Sequence, residues 1–242
     1  MSKYLTFAGD DVPHGELLAD LETYAVFFTA EFNNLDTGEF LLNHPEKLGR
    51  DFSFYLFENF WYQEFNPDEK DPSRIPRPVS STTRDLVGHL KEKHNILRIS
   101  FNYCEPGARL PWHTHRNEFT NILCHVGIDV PDGDCSLRIE DEQISWENNR
   151  AFAFESTTPH CMWNATEKSR TIMLLDCLKP GYSKQDYIEV YCGNEASSSP
   201  RYESEVLDDY DTLPAKIIEY PAVAINDEEK QNHQRLYEGV MK

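Results

Sequence analysis

NILCHVGIDVPDGDCSLRIED, residues 121–141, places two short runs rich in Ile, Leu and Val on either side of a VPDGDC turn cluster. Runs of this length bounded by Pro, Gly and Asp read as strands, because those residues supply the backbone angles of a turn and interrupt a ladder. The same texture extends outward in both directions. ILRISFNYC from Ile96 and the CEPGAR cluster precede it, while the WENNR cluster, RAFAFES from Arg150 and SRTIMLLDCL from Ser169 follow it. Regularly spaced short strands predict an antiparallel sandwich or barrel, with its core over residues 96–182.

Upstream, GELLADLETYAVFFTAEFNNL (15–35) sets Leu17, Leu18, Leu21, Tyr24, Ala25, Phe28 and Phe32 at helical spacing, which predicts an amphipathic helix ending near Asn33 and Asn34. FSFYLFENFWYQEF from Phe52 admits helix or strand, and the three prolines of DEKDPSRIPRPVSS mark a loop. SSTTRDLVGHLKEKH, from Ser80, predicts a short helix with a Ser or Thr near Ser81 to Thr83 as its cap. Residues 1–95 therefore read as an N-terminal helical and aromatic layer packing on the core. Residues 183–242 read as an acidic extension in which NEASSSPRYESE is a loop and AKIIEYPAVAI, around Ile217, is an edge strand or a lid.

The 242 residues are enough for one well-buried domain. Lys and Arg number 23 against 42 Asp and Glu, and the formal charge of -19 disfavours nucleic acid and anionic membrane partners. The opening residues hold no apolar run of signal-peptide length, and six scattered cysteines without a CxxC pair read as reduced thiols, so the expectation is a cytoplasmic protein. Nothing in the sequence speaks to oligomeric state.

Chemistry concentrates in LPWHTHRNEFTNILCHVG (110–127). On a strand, side chains repeat every second residue, so His113 and His115 present two imidazoles on one face. His160 follows an apolar run and a turn forty-five residues after His115, the separation that returns a sandwich chain to an opposing strand. Two imidazoles from one segment and one from another suit a divalent first-row metal with open positions for oxygen and substrate.

ISFNYCEPGARLPWHTHRN, HVGIDVP and FAFESTTPHCMWNATEKSRTIMLLDCLKP together resemble the aspartyl/asparaginyl β-hydroxylase family of Fe(II)- and 2-oxoglutarate-dependent oxygenases, over about a third of the chain. The resemblance implies a mainly β fold, a double-stranded β-helix (jelly-roll, cupin-like) with N-terminal helices. It implies that His113, after the Pro-Gly loop, and His160, followed by Trp163 and Asn164, bind iron. Arg170, ten residues past His160, would pair with the distal carboxylate of 2-oxoglutarate; a planar, permanently charged guanidinium suits that task. His125 would contact the cosubstrate and Trp163 would shape the pocket, while Asp176 and Pro180 match residues of structural role. The activity implied is consumption of dioxygen and 2-oxoglutarate to hydroxylate an unactivated C–H bond. With no targeting segment in view, the expected substrate is a small metabolite or amino acid.

The chain departs from the family at three points. His115 stands where relatives carry aspartate or glycine, leaving its role open among a third iron ligand, a neighbour of a halide-accepting site in a 2-oxoglutarate-dependent halogenase, and a bystander. Leu123 replaces an arginine of some relatives, and the histidine-to-histidine spacing is longer by one. A rival reading takes the same residues as cupin metal motifs: Gly107, His113, His115 and Glu118 first, His160 and Asn164 second. It gives a three-His, one-Glu site without 2-oxoglutarate, suited to a dioxygenase or an isomerase.

Overall fold

A computed structural model of the chain describes residues 2–12, 14–34, 51–58, 79–115, 119–192, 204–207, 210 and 213–222, with 51–58, 188, 191–192 and 204 described by backbone alone. In chain order the elements are β1 (Thr6–Phe7), α1 (Gly15–Asn33), β2 (Asp51–Glu58), α2 (Ser81–Lys93), β3 (Ile96–Cys104), β4 (Arg109–His115), β5 (Asn121–Asp129) and β6 (Cys135–Ile139). There follow β7 (Glu142–Ser145), β8 (Ala151–Phe154), β9 (His160–Asn164), β10 (Arg170–Leu178), α3 (Lys184–Cys192), β11 (Ser204–Val206) and β12 (Lys216–Ile217).

Two six-stranded sheets form, in the orders β1-β8-β5-β10-β3-β2 and β11-β4-β9-β6-β7-β12. From β4 to β10 the chain crosses repeatedly between them, the winding of a double-stranded β-helix, and the expected jelly-roll with N-terminal helices is what the protein adopts. The strand pairs are antiparallel apart from β12, which runs parallel to β7.

Alternation along the first sheet decides what faces where. Ile122, Cys124, Val126 and Ile128 of β5, Ala151 and Ala153 of β8, and Met173, Leu175 and Cys177 of β10 join Leu17, Leu18, Leu21, Ala25 and Phe28 of α1 in one apolar cluster. The opposite parity, including Leu123, Phe152, Phe154 and Ile172, packs on Leu137, Ile139, Ile144 and Met162 of the second sheet. Leu18, Leu21 and Phe28 are completely buried, each stabilising the fold by about 1.5–3 kcal/mol relative to exposure. β5, β8 and β10 thus bury apolar residues on both faces, which is why they read as continuous runs.

One buried carboxylate of α1 fastens it to the start of α2, and Asp20 and Glu16 of α1 pair with Lys93 at the end of α2. Glu31 of α1, buried, accepts hydrogen bonds from the Ser80 amide at 3.2 Å, the Ser80 hydroxyl at 2.5 Å and the Thr83 hydroxyl at 2.7 Å. Ser80 is the N-cap of α2, its hydroxyl accepting from the Thr83 amide, in the run of hydroxyls near Ser81–Thr83 where the cap was expected. Tertiary contact with Glu31 selects Ser80 from a run of adjacent hydroxyls.

The ambiguous aromatic segment begins as strand: β2 pairs with β3. The sheets extend beyond the 96–182 core, because β1, β2, β11 and β12 all come from outside it. The N-terminal segment and the segment that supplies β12 meet at Glu142, which is 2% exposed and accepts from the Ser2 hydroxyl, the amides of Lys3 (2.9 Å) and Tyr4 (3.2 Å) and the Lys216 ammonium (3.3 Å). Among the described residues no helix is long and apolar enough to cross a membrane.

Candidate metal centre and cosubstrate site

β4 and β9 lie side by side in the second sheet, and their register sets His113 directly opposite His160. Parity turns His113, His115 and His160 toward the interior, at 7%, 6% and 4% exposure. The ring centroids lie 4.2 Å apart for His113 and His160, 5.1 Å for His113 and His115, and 5.2 Å for His115 and His160. One ligand atom from each falls within 4.8 Å of the others.

The tautomers favour a metal. His113 Nδ1 sits 2.7 Å from the Pro111 carbonyl, and His160 Nδ1 sits 2.7 Å from the Thr158 carbonyl. A carbonyl only accepts, so each Nδ1 carries its proton and each Nε2 keeps a lone pair. This carbonyl–histidine pairing fixes ring orientation around metal sites. Three converging imidazoles, two of them with orientations locked, fit a ferrous or similar divalent ion. β4 is held along its outer edge by β11, whose Val206 and Ser204 oppose His113 and His115, and the His115 amide donates to Ser156 O at 3.0 Å. Glu118, the fourth ligand of the cupin reading, lies outside the described residues.

Across the sandwich, even-numbered residues of β10 face inward, and this parity carries Arg170 into the interior at 1% exposure. Its Nη1 donates to Asn102 Oδ1 at 2.8 Å, Nη2 donates to Met162 Sδ at 3.5 Å, and its guanidinium carbon lies 4.6 Å from the centre of the Trp146 ring. Met162 is two residues from His160 on the same face of β9, so a contact with Met162 ties Arg170 to the strand that carries this candidate ligand. His125, on β5, is also inward-facing and 5% exposed. Burial, then the positive charge of Arg170, then His160, hold its pKa well below the ordinary histidine value, so the ring is neutral. Trp146 Nε1 donates to His125 Nδ1 at 3.3 Å, which places the histidine proton on Nε2; among the described residues that atom has no hydrogen-bond partner. Leu123, in the position of the arginine of some relatives, is an apolar member of the inter-sheet cluster.

Trp163 does not join this group. Three residues from His160, it has the opposite parity, and its indole turns outward to donate to Asp134 Oδ1 at 2.5 Å. The inward position beside it belongs to Met162. Asn164 faces inward but is consumed by backbone: its amide donates to the carbonyls of Cys104, Glu105 and Lys168, and its Oδ1 accepts from Thr166. It fastens the end of β9 to the Gly107 turn, whose φ of +76° suits glycine. Asp176, fully buried, pairs with Arg98 and accepts from Asn121 at 2.9 Å, a bracing role among strands of the first sheet. Sequence reasoning missed Asn102 and Trp146. Asn102 was reachable only through strand register, and Trp146 stood inside what read as a turn cluster.

Fold and site define a cupin-like double-stranded β-helix with a three-histidine cluster on its inner face. A sequence profile described as aspartyl/asparaginyl beta-hydroxylase matches residues 50–180, over half of the chain, and the chain belongs to that family. It is similar to an ornithine lipid ester-linked acyl 2-hydroxylase from Rhizobium tropici, 29% identical over 103 residues, covering 41% of this chain and 36% of that protein. The aspartyl/asparaginyl beta-hydroxylase of Mus musculus is 24% identical over 88 residues, 36% of this chain and 12% of that protein. The chain thus spans between about a tenth and a third of the length of these relatives. Among solved structures, a cupin domain of an XRE-family transcriptional regulator from Enterobacter cloacae matches at 18% identity and a TM-score of 0.30, over 36% of this chain and 86% of that one.

Proposed function

We propose that the protein is an Fe(II)- and 2-oxoglutarate-dependent oxygenase that hydroxylates an unactivated C–H bond of a small metabolite or amino acid. The observation that carries the reading is the pairing of His113 with His160 across one ladder position, while β10 presents Arg170 from the facing sheet. Bound Fe(II) with 2-oxoglutarate supplies the oxidising chemistry: dioxygen is consumed, the 2-oxoacid leaves as succinate and carbon dioxide, and C–H becomes C–OH.

The chain's own residues have distinct tasks. His113 and His160 present Nε2 lone pairs without tautomer rearrangement, since the Pro111 and Thr158 carbonyls already hold Nδ1–H. His115 is the third imidazole. Arg170 receives the distal carboxylate as a preformed cation whose plane is set by Asn102 and Trp146, so little orientation entropy is lost on binding. His125 offers a neutral Nε2–H beside that charge. The apolar wall of Phe152, Phe154 and Ile172 keeps the surroundings dry, which strengthens the charge pairing. The described cysteines Cys104, Cys124, Cys135, Cys161 and Cys177 are free thiols, which suits a reducing compartment such as the cytoplasm.

The third imidazole also favours the rival cupin reading, a dioxygenase or isomerase without 2-oxoglutarate. Anaerobic titration of the iron-loaded protein with 2-oxoglutarate separates the two. A saturable metal-to-ligand charge-transfer band is expected; its absence, with iron bound, selects the rival.

A further inference from the structure

Trp146 is the junction between the two groups that would hold the cosubstrate. It follows β7 directly, is 4% exposed, and uses two different parts of one indole. Its N–H donates to His125 Nδ1 at 3.3 Å, with the two rings 27° from parallel and 6.1 Å apart. Its face lies 4.6 Å from the Arg170 guanidinium carbon. An indole N–H donates and never accepts, so His125 Nδ1 must be the unprotonated nitrogen and Nε2 the protonated one. The opposite tautomer would present a lone pair at Nε2 and repel a carboxylate arriving at Arg170.

We propose that Trp146 is a positioning residue: it fixes the Nε2–H tautomer of His125 and the plane of Arg170, so that both present N–H donors to one carboxylate of the cosubstrate. This rests on the 2-oxoglutarate reading. A purely packing role for Trp146 in the inter-sheet cluster requires neither the N–H bond nor the cation over the ring, and Phe would fill it at a modest loss of volume.

The test uses the full chain with zinc in place of Fe(II), which keeps NMR signals sharp. Long-range proton–nitrogen correlations of the imidazoles read the tautomers, and His125→Gln identifies the His125 signals. Calorimetric titration with 2-oxoglutarate reads affinity without turnover. Wild type is expected to show His125 with bare Nδ1 and protonated Nε2. Trp146→Phe is expected to lose that bias and to weaken 2-oxoglutarate binding about ten- to thirtyfold, the scale of one hydrogen bond to a charged group. A proton on Nδ1 in wild type overturns the proposal without reference to any variant. So does a Trp146→Phe protein that keeps the tautomer, or that changes it with unaltered affinity. Wild type that fails to bind 2-oxoglutarate while Trp146→Phe still switches the tautomer removes the cosubstrate reading and upholds the link from Trp146 to His125.

Discussion

Arg170→Met replaces a buried guanidinium with an unbranched apolar chain of similar reach. In the structure the guanidinium is already oriented by Asn102 at 2.8 Å and by the Trp146 face at 4.6 Å, so what the substitution removes on binding is the charge and its two parallel donors. Hydrogen bonds to a charged group contribute about 1.5–3 kcal/mol each. Two such bonds, less partial replacement by water, give a loss of about 3–4 kcal/mol, or roughly a hundred- to a thousandfold in 2-oxoglutarate affinity. Arg170→Lys keeps the charge but gives up the planar fork, and should fall between, about tenfold weaker than wild type. The assay is anaerobic titration of iron-loaded protein followed by the charge-transfer band, with iron stoichiometry as the control that the histidines are undisturbed. If Arg170→Met binds 2-oxoglutarate within about threefold of wild type, the assigned role of Arg170 is refuted.

His160→Ala should abolish iron binding, whereas His115→Asp should retain iron and turnover, because a carboxylate completes the common two-His, one-carboxylate set; iron analysis and succinate release check both, and complete loss of iron from His115→Asp contradicts ligation there. Glu142 bears on acid stability. Burial alone would raise its pKa, but the Ser2 hydroxyl, the Lys3 and Tyr4 amides and Lys216 together hold it below the usual carboxylate value. Its contribution is therefore complete above the unfolded-state pKa, near 4.5, and is lost as pH falls through the lower folded value. Glu142→Gln should cost about 1–2 kcal/mol at neutral pH and flatten the loss of stability between about pH 5 and 3, measured by urea unfolding; an unchanged pH profile counts against the pin. Gly127→Ala would place a Cβ 2.0 Å from the Glu147 carbonyl oxygen, a backbone atom that cannot swing aside. A cost of about 3 kcal/mol, or a fall of about 6–12 °C in Tm, is expected in thermal denaturation, and an unaltered Tm would disprove the close approach.

Much of the fold was readable because strands covered on both faces are apolar throughout, as in TIMLLDCL and NILCHVGID. What escaped were elements whose identity depends on a distant partner. β1 is two residues long and β11 three, and pairing with β8 and β4 rather than local composition makes them strands, whereas β12 lies where an edge strand or a lid was expected around Ile217. The site divides the same way. A two-residue step keeps His115 on the face of His113, whereas the three-residue step from His160 sends Trp163 outward, against the role expected from its place beside the histidine. Trp146 was hidden in WENNR because only the folded chain brings it beneath Arg170 and against His125. Arg170 itself was singled out through the family resemblance, which places an arginine ten residues past the second histidine, and the structure puts it in the interior of the sandwich.

The tail that supplies β11 gives the ligand-bearing strand a neighbour it would otherwise lack. Backbone groups along the rim of a sheet invite any extended polypeptide to add on. Here the chain fills that vacancy itself, opposite both His113 and His115. Proteolytic removal of β11 would therefore leave a sticky border beside the candidate metal-binding histidines, coupling loss of that strand to self-association.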